Sequence, residues 1–395
     1  ANKLVGPGDS LLAAAINGKA GLGRYAATLA DHLSPLLGER LAFFYNRAGA
    51  SGTVRLPGAG TAHQARHVRL GYKPWRLAVW LGQMAGIGFD RLLPAAELYH
   101  ATEHLLMPLR QVPSVLTVHD LIYHLLPQHH KRLNYWFLNA AMPLFCQRAN
   151  ALITISENSK RDLVRLYAVA PQKVHVIYEA AAPHFRPQTP ERITAVRARY
   201  HLPAHYMLTV GTIEPRKNLD RLLDALLILR QSGLDAHLVI VGSKGWLTEG
   251  FFARLETLPQ REAVHLAGFV ADDDLPAVYA GARLTVLASV YEGFGLPVLE
   301  GMACGSPVVC SGTASLPELG STAARYFDPL TVADIAQTLQ RIWQDEEERQ
   351  AMRQAGLVRA AQFSWAQTAA ATLEVYQRVI ESRRDGASKV ERQSI

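Results

Sequence analysis

Short apolar runs alternate with stretches of helical spacing along most of the chain, and the rhythm is clearest after residue 200. Residues 206–210 are an apolar run ending at Gly211, and 219–229 follow with apolar positions three and four apart. The pair then repeats. Strands are predicted at 237–241, 264–266, 284–287 and 307–309, and helices near 251–258, 275–280, 297–303 and 332–343. A wholly apolar run of four or five residues suits a strand covered on both faces, while three-to-four spacing marks a helix with one buried stripe. Strands alternating with helices predict right-handed βαβ units and a parallel sheet. Before residue 190 the same rhythm is looser. A first strand is predicted at 10–16, a first helix at 23–33, and later strands at 41–45, 98–100, 115–118 and 151–155.

The pattern divides the chain. Residues 1–186 read as one doubly wound α/β domain and 205–365 as a second. The segment 187–204, rich in Pro, Arg and Thr with little apolar periodicity, reads as the linker. Residues 366–384 read as a C-terminal helix crossing back to the first domain, and 385–395 as a polar, mobile tail. Two such domains are expected to place a ligand crevice between them, outside the carboxyl ends of the strands.

Composition narrows the class. The chain has 395 residues, 49% hydrophobic and 19% charged, enough apolar material for two cores. A mean hydropathy of +0.02 excludes a disordered or fibrous chain. No run of eighteen apolar residues occurs; the best candidate, 77–89, is interrupted by Gly82, Gln83 and Gly86. The start Ala1-Asn2-Lys3-Leu4 lacks the regions of a signal peptide. Three cysteines without a CxxC pair point to a reducing compartment and away from disulfides or structural zinc. These features predict a cytoplasmic protein.

Charge is unevenly spread. Residues 1–190 carry 20 Lys+Arg against 10 Asp+Glu, and the remainder 21 against 24. A basic first half suits an anionic membrane surface or a phosphorylated substrate as well as a plain solvated surface. Nucleic acid is disfavoured, because the basic residues form no recognised binding module. Lys73-Pro74-Trp75-Arg76 and His129-His130-Lys131-Arg132-Leu133-Asn134-Tyr135-Trp136 mix cations with aromatics, as an interfacial membrane element does. The remaining histidines show no spacing for a metal set. Asp272-Asp273-Asp274 precedes a helical stretch and reads as a helix cap rather than a metal site.

The most informative stretch is 290–300. After the strand at 284–287, Glu292-Gly293-Phe294-Gly295 forms a loop that lets backbone approach a ligand, and Leu296-Pro297 opens a helix. A helix N-terminus offers free N–H donors and positive partial charge to phosphate. Glu292 and Glu300 flank it and, being acids, suit hydroxyls. Phosphate in the middle and polyols at both ends describe a nucleotide-sugar. Arg216 and Lys217, between a strand and a helix, are placed to clamp a diphosphate leaving group as its charge grows. Gly21-Leu22-Gly23 marks only a tight turn into a helix, and His119 at a strand end suits packing as well as function.

Glu292 and Glu300, with seven residues between them, match the E-x7-E motif of retaining GT-B glycosyltransferases, and the chain most closely resembles family 4. Further segments resemble the family in the same order: Gly21-Leu22-Gly23-Arg24-Tyr25, Thr117-Val118-His119-Asp120, Ile155-Ser156-Glu157-Asn158-Ser159-Lys160, Gly211-Thr212-Ile213-Glu214-Pro215-Arg216-Lys217-Asn218, Gly268-Phe269-Val270 and Ser315-Leu316-Pro317-Glu318. The specificity lies in this ordered set, spanning residues 10–380, rather than in E-x7-E alone. The resemblance implies a GT-B fold, two Rossmann-like domains facing a central cleft. It implies a donor site in the second domain: Glu300 on the ribose, Arg216 and Lys217 on the diphosphate, Glu292 with the loop Gly293, Phe294, Gly295 and Leu296 on the sugar, and Gly268, Phe269 and Val270 against the nucleobase. Some members carry a further arginine where this chain has Thr212. Gly21 and Gly23 would face the donor phosphates or the acceptor. His119 would hydrogen-bond the donor sugar or position the acceptor, and Asp120 would bind the acceptor.

The family further implies front-face attack with retention, the leaving phosphate taking the acceptor proton, and no metal or other cofactor. The Gly211–Asn218 wording looks most like bacterial polysaccharide mannosyltransferases, so GDP-mannose is the expected donor, with a UDP-sugar as alternative and a saccharide, lipid-linked, as acceptor. A nucleotide-sugar 2-epimerase on the same fold is the rival enzyme class.

Overall fold

The computed structural model describes residues 3–5, 21–46, 64–129 and 132–393. The chain divides into two compact units, Ala1–Glu179 together with Trp365–Ile395, and Ala180–Ser364.

The first unit carries a seven-stranded sheet: β1 (Lys3–Val5), β2 (Leu41–Asn46), β3 (Gln64–Val68), β4 (Ala96–Ala101), β5 (Ser114–Val118), β6 (Ala151–Thr154) and β7 (Val174–Val176). They run in the order β3-β2-β1-β4-β5-β6-β7, every pair parallel. The central strands are buried on both faces; Leu116 and Val118 of β5 join a core with Trp75, Val79, Leu138, Phe145 and Leu163. The predicted strand at 10–16 lies outside the described residues. The helix expected at 23–33 is longer, Gly21–Leu37.

The second unit has six strands: β8 (Met207–Val210), β9 (Leu238–Val241), β10 (Val264–Gly268), β11 (Leu284–Leu287), β12 (Val308–Ser311) and β13 (Arg325–Phe327). Their order is β10-β9-β8-β11-β12-β13, again all parallel. Residue parity explains the apolar runs. Met207, Leu238 and Ile240 join one core with the helices Leu219–Gln231 and Val332–Gln344, while Leu208, Val239 and Val241 join the core on the other face. Strand order reverses between β8 and β11. In a doubly wound sheet that is the switch point, where loops leave in opposite directions and open a crevice at the carboxyl ends.

Three expectations need correction. Residues 187–204 are not a linker: Pro190–Arg199 is a helix capped by Thr189, whose side chain accepts from Arg192 N–H. Val196, Leu202 and also Phe185 are buried in the second unit's core. The periodicity is weak because Val196 is the one residue of this helix that is buried, and its arginines meet a partner distant in sequence. Asp274 accepts from Arg192 at 2.6 Å and Arg199 at 2.7 Å, and from Tyr200 at 3.0 Å. Hence the second correction: Asp274 stands at the N-cap of the helix Leu275–Gly281 but makes no side-chain cap, its carboxylate being taken by those arginines. Third, the last helix does not stop at residue 384; it runs Trp365–Gln393. Four strands escaped the sequence reading, β1, β3, β7 and β13. The last three are sheet edges, so Gln-Ala-Arg-His-Val, Val-His-Val and Arg-Tyr-Phe need no continuous apolar run, while β1 is central but only three residues long, too short to stand out as a run.

Among the described residues no helix is long and apolar enough to cross a membrane. All three cysteines are free and buried.

Candidate functional site

The second unit gathers its charged groups at the switch point. The chain leaves β8 at Gly211, and the following loop is pinned to the one after β9: Ile213 N–H donates to Ser243 at 2.9 Å and Gly245 N–H to Ile213 at 3.0 Å. A single 3-10 turn, Pro215–Lys217, then presents Arg216 and Lys217, and Asn218 turns into the next helix with a left-handed backbone, φ 57°. The Asn218 amide donates to Ala288 O (3.0 Å) and Pro329 O (2.7 Å), and Val290 N–H donates to Arg216 O (3.0 Å). The loops after β8 and β11 are thereby joined across the crevice.

Glu292 stands on the second of these loops. Its Oε1 accepts from Lys217 Nζ at 2.6 Å and from Ser289 Oγ at 2.6 Å, and its Oε2 lies 2.6 Å from Arg216 Nη1. Arg216 also donates to Tyr291 O (2.8 Å) and to the Glu214 carboxylate. Burial pushes the Glu292 carboxyl up, but Arg216, Lys217 and the Ser289 hydroxyl together outweigh it and hold the group at about 2. The cluster is therefore two cations and two carboxylates in a largely buried setting. Its shape follows from the loop around it. Ser315 Oγ donates to Glu292 O (2.9 Å) and Phe294 O (2.6 Å), tying 292–294 down. Gly295 has φ 109°, and a Cβ there would stand 2.5 Å from Leu316 Cδ2, so only glycine fits without displacing that side chain.

The helix predicted at 297–303 is Leu296–Ala303, with Pro297 in its first turn. Glu300 lies inside it, buried, and accepts from Tyr279 OH at 2.8 Å. Gly268 closes β10 with φ 64°, and its carbonyl accepts from Gly242 N–H. Phe269 beside it is 54% exposed, whereas Val270 packs into the core. Glu292, Arg216 and Lys217 are thus brought into direct contact, with Glu300, Leu296 and Phe269 on neighbouring carboxyl-end segments. The reading by residue type missed Ser289 and Tyr279, whose hydroxyls hold the two glutamates and whose spacing marks nothing, and gave no role to Ser315, which it named only as part of a family segment.

The first unit holds a separate polar cluster. His119 follows β5 and is buried. Its Nε2 donates to Thr102 O (3.0 Å), and its Nδ1 lies 3.5 Å from Glu179 Oε1, the long end of a charge-assisted contact. The Tyr25 ring stands edge-on, centroids 4.7 Å apart. Burial alone would lower the His119 pKa, but Glu179 and the Thr102 carbonyl overcome it and raise the group above the ordinary histidine value. Nearby His100, bonded to Tyr376 OH (2.6 Å) and Thr117 Oγ1 (2.7 Å), is pushed down to about 3, by burial first and then by His119. The two histidines are thus shifted in opposite directions. Both His119 ring nitrogens face partners inside the unit, and its carbonyl accepts from Ser159 Oγ (3.0 Å). Asp120 accepts from Ile122 N–H (3.0 Å), opening the short helix Ile122–Leu125. Gly21 begins the helix Gly21–Leu37, in which Gly23 is buried. Glu179 was not singled out from sequence; it lies sixty residues from His119 and in no motif.

The helix Tyr72–Ala85 divides the first aromatic-cationic stretch. Trp75 is core, packed against Phe44 and Phe89, which corrects its expected interfacial place. Leu77, Leu81 and Met84, spaced to share one helix face, are at least half exposed, as is Ile87 just beyond. In the second stretch Leu133 (78%) and Trp136 (68%) are exposed, while His130 and Lys131 lie outside the described residues.

Comparison with known proteins gives the family and the fold. Residues 200–359 match the family described as "Glycosyl transferases group 1", and residues 20–183 match "Glycosyltransferase Family 4". The O-antigen chain mannosyltransferase B of Escherichia coli is 32% identical over 281 residues, covering 71% of this chain and 74% of that protein. The serotype-specific mannosyltransferase WbdA of Escherichia coli is 30% identical over 246 residues, but there the match spans 60% of this chain and only 30% of the relative. Among solved structures, sucrose-phosphate synthase from Thermosynechococcus elongatus superposes with a TM-score of 0.76 at 19% identity, covering 96% of this chain and all of that one. Anabaena Alr3699/HepE in complex with UDP and glucose gives 0.71 at 18% identity, with the same coverage. These likenesses show the fold, GT-B.

Proposed function

This chain belongs to the family 4 glycosyltransferases, and we propose that it moves mannose from GDP-mannose to a lipid-linked saccharide acceptor in bacterial polysaccharide synthesis. The observation that carries the reading is the Arg216–Lys217–Glu292 cluster at the switch point of the second unit. In the transfer, the acceptor oxygen forms a bond to the anomeric carbon as the carbon–phosphate oxygen bond breaks. The nucleoside diphosphate leaves with the acceptor's proton, and the configuration is retained. Negative charge grows on the leaving phosphate, and Lys217 faces it with two ammonium hydrogens that have no partner among the described residues. Fixed cations in a buried setting stabilise such charge without reorganising at the moment of reaction. Glu300, beneath the helix start, takes the ribose. Glu292 and the loop 293–296 take the sugar, and residues 268–270 the base.

The first unit takes the acceptor, with Asp120 lining its place; Gly21 and Gly23 face the donor phosphates or the acceptor, and His119 hydrogen-bonds the donor sugar or positions the acceptor. No metal or other cofactor enters this chemistry; Asp274 of the acidic run is already paired with two arginines. Mannose is favoured because the two Escherichia coli relatives are named mannosyltransferases. We place the protein at the cytoplasmic face of an anionic membrane. The apolar stripe of Leu77, Leu81 and Met84, beside Lys73, supports reversible docking there.

The test is a panel of GDP-mannose, UDP-glucose, UDP-N-acetylglucosamine and UDP-galactose, each with and without a saccharide acceptor. Acceptor-dependent release of GDP from GDP-mannose is expected. Release from a UDP-sugar alone would replace the donor, and acceptor-independent conversion of the sugar would make the chain an epimerase. Sedimentation with anionic but not neutral vesicles, reversed by salt, tests the docking.

A further inference from the structure

A cavity of about 310 Å³ opens in the first unit under the last turn of the helix Tyr72–Ala85. Ser114, the first residue of β5, and Asn150, which precedes β6, lie in its wall. It is thus at the amino-terminal ends of the strands. His119 follows the opposite end of β5, about 16 Å away at the rise of an extended strand.

Three arginines, Arg110, Arg148 and Arg383, line this cavity, and no carboxylate residue does. They come from three places: the loop before β5, the end of the helix Arg132–Arg148, and the helix Trp365–Gln393. Among the described residues none of the three is ion-paired. Arg383 reaches only the Arg110 carbonyl, at 3.4 Å. Asp90, in the same corner, gives its carboxylate to the backbone N–H groups of Arg110, Gln111 and Val112. Arg110 is drawn in tightly: Gly86 has φ 64°, and a Cβ there would stand 2.3 Å from Arg110 Nη2. A cation at a helix C-terminus suits Arg148 alone; it does not explain three like charges brought together. Like charges sharing a cleft raise the local potential and are relieved by an anion. Guanidinium forks match phosphate oxygens in pairs. The volume is at the small end for a ligand site, the size of a head group. Ile87, 59% exposed, stands at the wall and adds an apolar edge.

We propose that this cavity is a phosphate-binding site, distinct from the donor cluster, which takes a phosphate or diphosphate group carried by a lipid or by a soluble compound. It stands on geometry in the first unit and does not depend on the sugar-transfer reading.

The test uses the full chain carrying Lys217→Ala, which weakens the donor cluster and leaves Arg216 as a constant background, with and without Arg148→Gln and Arg383→Gln. All three arginines are exposed, so these changes leave the core untouched. Binding of inorganic pyrophosphate is measured by calorimetry, and binding to phosphatidylglycerol and phosphatidylcholine vesicles by sedimentation. A loss of about tenfold per arginine is expected, the size of one charge-assisted hydrogen bond. If the loss falls on phosphatidylglycerol vesicles, the phosphate is a lipid's; if it falls on pyrophosphate with vesicle binding unchanged, it is a soluble compound's. Both results support the site. Equal binding by all variants in both assays overturns it. So does a matching fall in affinity for GDP-mannose when the arginine changes are made with Lys217 intact, because the arginines would then belong to the donor site.

Discussion

Replacing Glu292 by glutamine removes the carboxylate that touches both Arg216 and Lys217 while keeping its size. Gln is a stand-in for the protonated acid, so the cost can be worked from the titration. The carboxyl ordinarily titrates at 4.5 and is held at about 2 here. A depression of that size is worth about 3 kcal/mol between the charged and neutral forms. For a group pulled down in the folded state, the stabilisation is complete above the unfolded value and is lost as pH falls toward the folded one. The deficit of Glu292→Gln against wild type should therefore be about 3 kcal/mol at pH 7. That is about 6–12 °C in melting temperature for a unit of this size. It should shrink to roughly half of that or less at pH 3. Urea unfolding of both proteins at the two pH values reads this directly, because other carboxylates cancel in the difference. A deficit that is absent at pH 7, or equal at pH 7 and pH 3, would refute the ion-pair account of the cluster.

Lys217→Ala should lower turnover more than donor affinity, because phosphate charge peaks in the transition state; a change confined to KM would assign the lysine to uniform binding. Glu300→Ala should weaken donor binding roughly 10- to 100-fold with the fold intact, and calorimetry showing unchanged affinity would remove it from the ribose. EDTA should leave activity unaltered, whereas complete loss would require a metal site. Glu179→Gln should lower the His119 pKa as followed by NMR. Because the folded value is raised, the stabilisation it contributes is full below about 6.5 and fades as pH rises through the folded value, so the variant's deficit should be larger at pH 5.5 than at pH 9.

Legibility tracked the range of the forces involved. Strands β8, β9 and β11 are legible because burial on both faces demands continuous apolar residues, which stand in sequence as a run. The helix Pro190–Arg199 is not, because Arg192 and Arg199 find their partner in Asp274, more than seventy residues away. Read locally, those arginines look like a solvated linker and Asp274 looks like a cap. The same holds for Glu179, which meets His119 only through the fold.

The cluster of Arg216, Lys217 and Glu292, in its proposed role as the donor site, shows the remaining step. Residue type allowed Arg216, Lys217, Glu292 and Glu300 to be singled out, but it set the cations on phosphate and Glu292 on sugar as if they were independent. In the structure they are bonded to each other. Two cations matched by two carboxylates offer an incoming diphosphate little net charge, so ground-state attraction is weak and the anion has to compete with Glu292 for Lys217. That competition tilts as charge accumulates on the leaving phosphate. An interaction that is modest with bound donor and strong at bond cleavage raises turnover rather than affinity. On this argument the pairing of Glu292 with Lys217 and Arg216 is part of how the site favours reaction over mere binding. It also implies that a fixed, buried carboxylate between two cations should be harder to replace than either cation alone.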